Sequence, residues 1–225
     1  MSSLSSIATS IVLIFVLFLI SRYSIQKLFQ VFLIYFQNNK ISLIFISSLL
    51  LPGTIVHELS HAFMAMILHL KIRDIRIFPE WKHDSIKLGS VVYEKKDVFR
   101  SILVGIAPFF VGLFSLWWLY ELGLYQTSSV IQFIGVSYLV FVISTTMFSS
   151  KQDLVDILYI IPIVVFIIGL IYVFQINMGF LKHLIEVEAV VQFLYAVRTY
   201  ILIAIGIHTI IIMFAMSALT LHKKS

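Results

Sequence analysis

Long apolar runs fill this sequence almost from end to end, at 4–20, 41–70, 98–122, 130–148, 154–174 and 189–217. A helix needs about 20 residues to cross the ~30 Å hydrocarbon core of a bilayer, and most of these runs reach that length. Lipid offers no water to the backbone, so a spanning chain must satisfy its amides and carbonyls internally, in helices or in a closed barrel. The runs are continuous rather than alternating, which selects helices. Hydrophobic residues are 60% of the 225 and charged residues 12%, and mean hydropathy is +1.05. The expectation is an all-α polytopic membrane protein of about six transmembrane helices, with five or seven as the alternatives.

The first run has no positive charge before it, and Ser21-Arg22-Tyr23 is a poor cleavage site, so it is expected to remain as a membrane helix. The stretch Leu28 to Phe36 is too short to span alone and reads as an interfacial or broken segment. One integral membrane domain therefore covers 1–225, its parts being 41–70, a polar insertion at 71–97, the core spans of 98–174, and the last span at 189–217. Within the insertion, Ile72, Ile75 and Ile77, then the run from Ser85 to Tyr93, are bounded by Pro79 and a glycine turn, which predicts a small β-hairpin or sheet.

The net charge of +5 and pI near 9.4 do not indicate nucleic acid, because the basic residues sit between apolar runs rather than on one soluble face. Positive-inside bias explains them. Lys71, Arg73, Arg76, Lys82, Lys87 and their neighbours place 71–97 in the cytoplasm, and His222-Lys223-Lys224 places the C-terminus there too. Arg22, Lys27 and Lys40 run against this scheme.

Inside the second run stands His57-Glu58-Leu59-Ser60-His61. On a helix, histidines at i and i+4 share a face and can hold one Zn²⁺, and the glutamate between them is placed to move a proton. Polar groups at membrane depth are costly and usually face a cavity and a partner, which adds to the case for a metal site. The chain has no cysteine, so any ligand set must come from His, Asp, Glu or water. Pro52 and Gly53 just upstream predict a kinked or restarted helix, with Thr54 serving the freed backbone groups. A catalytic zinc site wants a third protein ligand, and Asp153 or Asp156 is the candidate, in the polar interruption from Ser149 to Asp156. Capping of the next helix by Ser150, with Asp153 in its first turn, accounts for the same residues structurally. Among the other histidines, His69 lies near a span edge, His83, His183 and His222 lie in loops or tail, and His208 is expected to bond across helices.

Thr54 to Ala62, followed by a small strand region, a proline-containing span and a downstream aspartate, resembles the site-2 protease family of intramembrane zinc metalloproteases over about residues 45 to 160. The resemblance implies His57, His61 and Asp153 as zinc ligands and Glu58 as general base and acid. The chain departs from the family pattern in two places. Thr145 to Leu154 lacks the asparagine, proline and glycine of the usual Asn-x-x-Pro-x-x-x-Leu-Asp-Gly, and the family's Gly-Pro-x-x-Asn appears as Ala107-Pro108 to Val111. No PDZ-like insertion fits between 71 and 97. The function expected is hydrolysis of peptide bonds in membrane-embedded or membrane-proximal segments of a protein substrate. A helix-binding protein that does not cut, or a metal transporter, is the competing class, although no internal repeat supports a transporter.

Overall fold

The computed structural model describes residues 3–78, 80–82, 85–126, 129–148 and 187–224, with scattered positions between 162 and 174. The first helix, α1 (Ser3–Phe36), runs unbroken for 34 residues, roughly 50 Å. The expected end of the first span at residue 20 is therefore corrected, and Leu28 to Phe36 is the last part of the same helix. Its charges are accommodated where they stand. Arg22 Nη2 donates to the Phe148 carbonyl at 3.0 Å and lies over the Phe18 ring, while Lys27 donates to Gln30 and covers Tyr23.

Gln37, with φ of 49°, turns the chain into α2 (Asn39–Ile67), which Asn38 caps by accepting from the amides of Lys40 and Ile41. Such a cap stabilises a helix by about 1 kcal/mol. Pro52 lies inside α2, so the helix does not restart there. Thr54 donates to the Leu50 carbonyl within that turn. At the far end His69 takes φ of 54°, Leu70 N–H reaches back to the Ala65 carbonyl, and Lys96 and Arg100 donate to the carbonyls of His69 and Leu68. Cations at a helix C-terminus oppose its negative dipole end.

The insertion is a hairpin with two ladders. β1 (Ile72–Arg76) pairs antiparallel with β4 (Ser90–Tyr93), Arg76 opposite Ser90 and Ile72 opposite Tyr93, with an irregularity between Ile72 and Asp74. β2 (Glu80–Lys82) pairs with β3 (Ser85–Lys87), Trp81 opposite Ile86. Ile77 falls just past β1. The ion pairs Arg73–Glu94 and Arg76–Asp74 are exposed and contribute no more than ~1 kcal/mol each.

Asp97 caps α3 (Val98–Glu121) by accepting from Arg100 N–H. A short 3₁₀ turn (Leu124–Gln126) and the Ser129 cap lead into α4 (Val130–Thr146). The last described helix, α5 (Glu188–Lys224), has 37 residues. It packs beside α1 in the same direction. Ser24 meets His208 along their length, and Val31, Ile34 and Tyr35 face Ala218, Leu219 and His222 across a cavity of about 370 Å³.

Among the described residues three buried clusters join the helices, the smallest being Ala65, Leu70 and Val104 between α2 and α3. Leu17, Leu116, Val140, Tyr200 and Ile201 belong to another, with Tyr200 Oη donating to the Leu119 carbonyl; Ile46, Leu50, Phe141 and Val142 form the third. Outward-facing Phe15, Ile131 and Met213 are 60, 84 and 64% exposed, as expected of surfaces solvated by lipid rather than water. Among the described residues four helices are long and apolar enough to cross a membrane, and α4 is a shorter apolar fifth. The chain is thus an α-helical, multi-pass membrane protein with one small β-hairpin. The expected span at 154–174 falls largely outside the described residues.

Candidate metal centre

The helical spacing does what the sequence suggests. His57, Glu58 and His61 are 4, 7 and 9% exposed on α2. The two imidazoles stand edge to face with centroids 4.7 Å apart, and their Nε2 atoms are 3.2 Å apart. Two nitrogens each ~2.0–2.1 Å from one tetrahedral Zn²⁺ would be about 3.3 Å apart. The pair therefore fits one metal ion. The outer nitrogen of His61 is also engaged, Nδ1 lying 2.8 Å from the Val104 carbonyl on α3. A carbonyl only accepts, so Nδ1 carries the hydrogen and Nε2 keeps the lone pair that a metal needs.

Glu58 meets the hairpin. A Cβ added to Gly89 would come within 2.6 Å of Glu58 Cγ and 2.8 Å of Oε1, so a glycine there lets the link between β3 and β4 lie against this carboxylate. The preceding residue, Leu88, lines a cavity of about 210 Å³ together with Arg22 and Gln26 of α1, Leu50 of α2, and Thr145 and Phe148 at the end of α4. The insertion thus folds back along the motif-bearing helix and reaches the candidate catalytic residue.

Small residues also hold the end of α4. Gly53 touches Val142 and Thr146, and Gly112 touches Met147, each so closely that a Cβ would overlap them. Phe148 follows, bonded through its carbonyl to Arg22 and packed on Phe18 and Phe109. Asp153 and Asp156, with Ser149 and Ser150, lie outside the described residues. Asp153 is five residues beyond Phe148, a chain reach of at most ~18 Å. Among the described residues no group of three His, Cys, Asp or Glu side chains is placed to hold a metal.

The remaining histidines separate from this pair. His208, fully buried, bonds Ser24 of α1 through Nδ1 at 2.7 Å and Ser144 of α4 through Nε2 at 3.0 Å, the cross-helix role expected of it. His69 ends α2, His222 lines the α1–α5 cavity, and His83 and His183 lie outside the described residues. Three participants were not singled out for the site in the sequence: Gly89, the Val104 carbonyl, and Arg22 as the residue bound to the end of α4. Only Arg22 leaves a local signal, a charge among apolar residues; the other two depend on contacts between distant segments. No family model matches this chain, and no curated protein and no solved structure shows significant similarity to it.

Proposed function

We propose that the chain is an intramembrane zinc metalloprotease, hydrolysing peptide bonds in transmembrane or membrane-anchored protein substrates. The observation that carries this reading is the 3.2 Å approach of His57 and His61 Nε2 beside a buried glutamate on the same membrane helix. Asp153, five residues beyond Phe148 in the sequence, is the proposed third ligand. When bound, Zn²⁺ would polarise the scissile carbonyl and make an adjacent water more acidic. Glu58 takes the proton from the attacking water and delivers it to the leaving amine nitrogen. The His61 Nδ1–H bond to Val104 keeps that ring from rotating during the transfer.

A substrate helix must unwind before attack, because its amides are shielded and already bonded within the helix. Gly89 beside Glu58 leads directly into β4, whose edge away from β1 is one on which an extended segment can be held. Gly89 keeps that edge close without filling the space over the carboxylate. Under this reading 71–97 faces the cytoplasm by positive-inside bias.

The test is cleavage of a membrane-anchored peptide by the purified protein in detergent, with and without zinc. Glu58→Gln is expected to lower cleavage by about 10²–10⁴-fold or more while most zinc remains bound. Cleavage retained by the pure variant would sink the assignment, and zinc uptake into vesicles without cleavage would favour a transporter.

A further inference from the structure

Proline at 108 lies inside α3, four residues after Val104. In an α-helix the amide at 108 would donate to the carbonyl at 104. Proline has no amide hydrogen, and its ring pushes that carbonyl aside. The Val104 side chain is fully buried against Ala65 and Leu70, so α2 and α3 are in close contact at this level. The Val104 carbonyl is met there by His61 Nδ1 at 2.8 Å, from a residue 43 positions earlier.

We propose that Pro108 is a positioning residue of the metal centre. By withholding an amide hydrogen it leaves the Val104 carbonyl to accept from His61 Nδ1–H. That bond fixes the tautomer of His61 and aims its Nε2 at the point shared with His57. The inference rests on reading the histidine pair as a zinc site, and it gives the proline a task other than bending a helix. A bend alone needs the ring; the task described here needs only the missing hydrogen. The two are separable because a backbone ester at 108 lacks the hydrogen and also lacks the ring.

The experiment uses the full chain in detergent, with zinc alone as the probe in competition with a chromophoric chelator. Pro108→Ala restores the amide, and zinc should bind about 10–100-fold more weakly, as when a metal ligand loses its orienting partner. The ester analogue of alanine at 108 should recover most of that loss. Nitrogen NMR of the His61 ring in the zinc-free protein supplies a readout that a purely structural proline would not move: one tautomer, hydrogen on Nδ1, in the native chain and the ester, and a mixture in Pro108→Ala. Unchanged tautomer and affinity in Pro108→Ala would overturn the proposal, and so would equal weakening in the alanine and ester forms. If the native chain binds no zinc, the metal reading falls, and the zinc-free spectra still decide whether Pro108 controls His61.

Discussion

Two buried histidine sites sit among the same apolar helices and use imidazole in opposite ways. At His208 both ring nitrogens are engaged by serine hydroxyls, Ser24 on α1 and Ser144 on α4, and those hydroxyls also lie within bonding distance of the carbonyls of Ser21 and Phe141. This network ties three helices together and leaves no ring nitrogen for a ligand. At His61 the outer nitrogen is bonded to backbone, while the inner one faces the Nε2 of His57. Burial and residue type are shared, so neither distinguishes a knot from a ligand site. What distinguishes them is where the second nitrogen points.

The comparison can be broken most sharply at the ligands themselves. His57→Ala or His61→Ala should abolish stoichiometric zinc binding, measured by metal analysis of the purified protein, whereas His208→Ala should retain it; loss of zinc from all three alike would erase the distinction. Next in size, Asp153→Ala should weaken zinc more than Asp156→Ala, by at least the roughly tenfold that loss of a ligand's orienting partner costs. The reverse ranking would move the third ligand. Gly89→Val should lower cleavage without removing zinc, because its side chain would enter the space of Glu58; a variant that cleaves normally would show that the link between β3 and β4 does not stay there. The smallest expected change is in His208→Ala, a stability loss of about 1–3 kcal/mol from the two serines left behind, read as a lower unfolding midpoint with zinc content unchanged.

The helical class followed from the apolar runs, and the strands from β-branched residues between turn signals. The run from 20 to 37 was harder, because Arg22, Lys27 and Gln30 look like a connection until Phe148, Phe18 and Tyr23 are brought to them. Pro52 works in the other direction: α2 passes through it without restarting, and Thr54 donates to the Leu50 carbonyl there. At the site, His57, Glu58 and His61 were legible because helical periodicity is local. Gly89 and Val104 were not, because each is defined by a partner 31 or 43 positions away, and neither glycine nor a carbonyl announces its partner in a sequence.

The side-by-side course of α1 and α5 imposes a parity on the whole chain. Two helices that traverse one bilayer in the same direction are separated by an odd number of complete passages, so the total from first to last is odd. An even set of apolar segments must then include one that does not traverse alone, and α4, at 17 residues or about 26 Å, is the shortest described. With α1 and α5 both crossing, the Ser3 end of α1 and the Lys224 end of α5 would lie on opposite faces, with Lys40 on the side of Lys223. Reporter tags at those two helix ends should therefore respond from opposite compartments, and the basic hairpin and basic tail compete for the cytoplasm whenever α2 completes its passage.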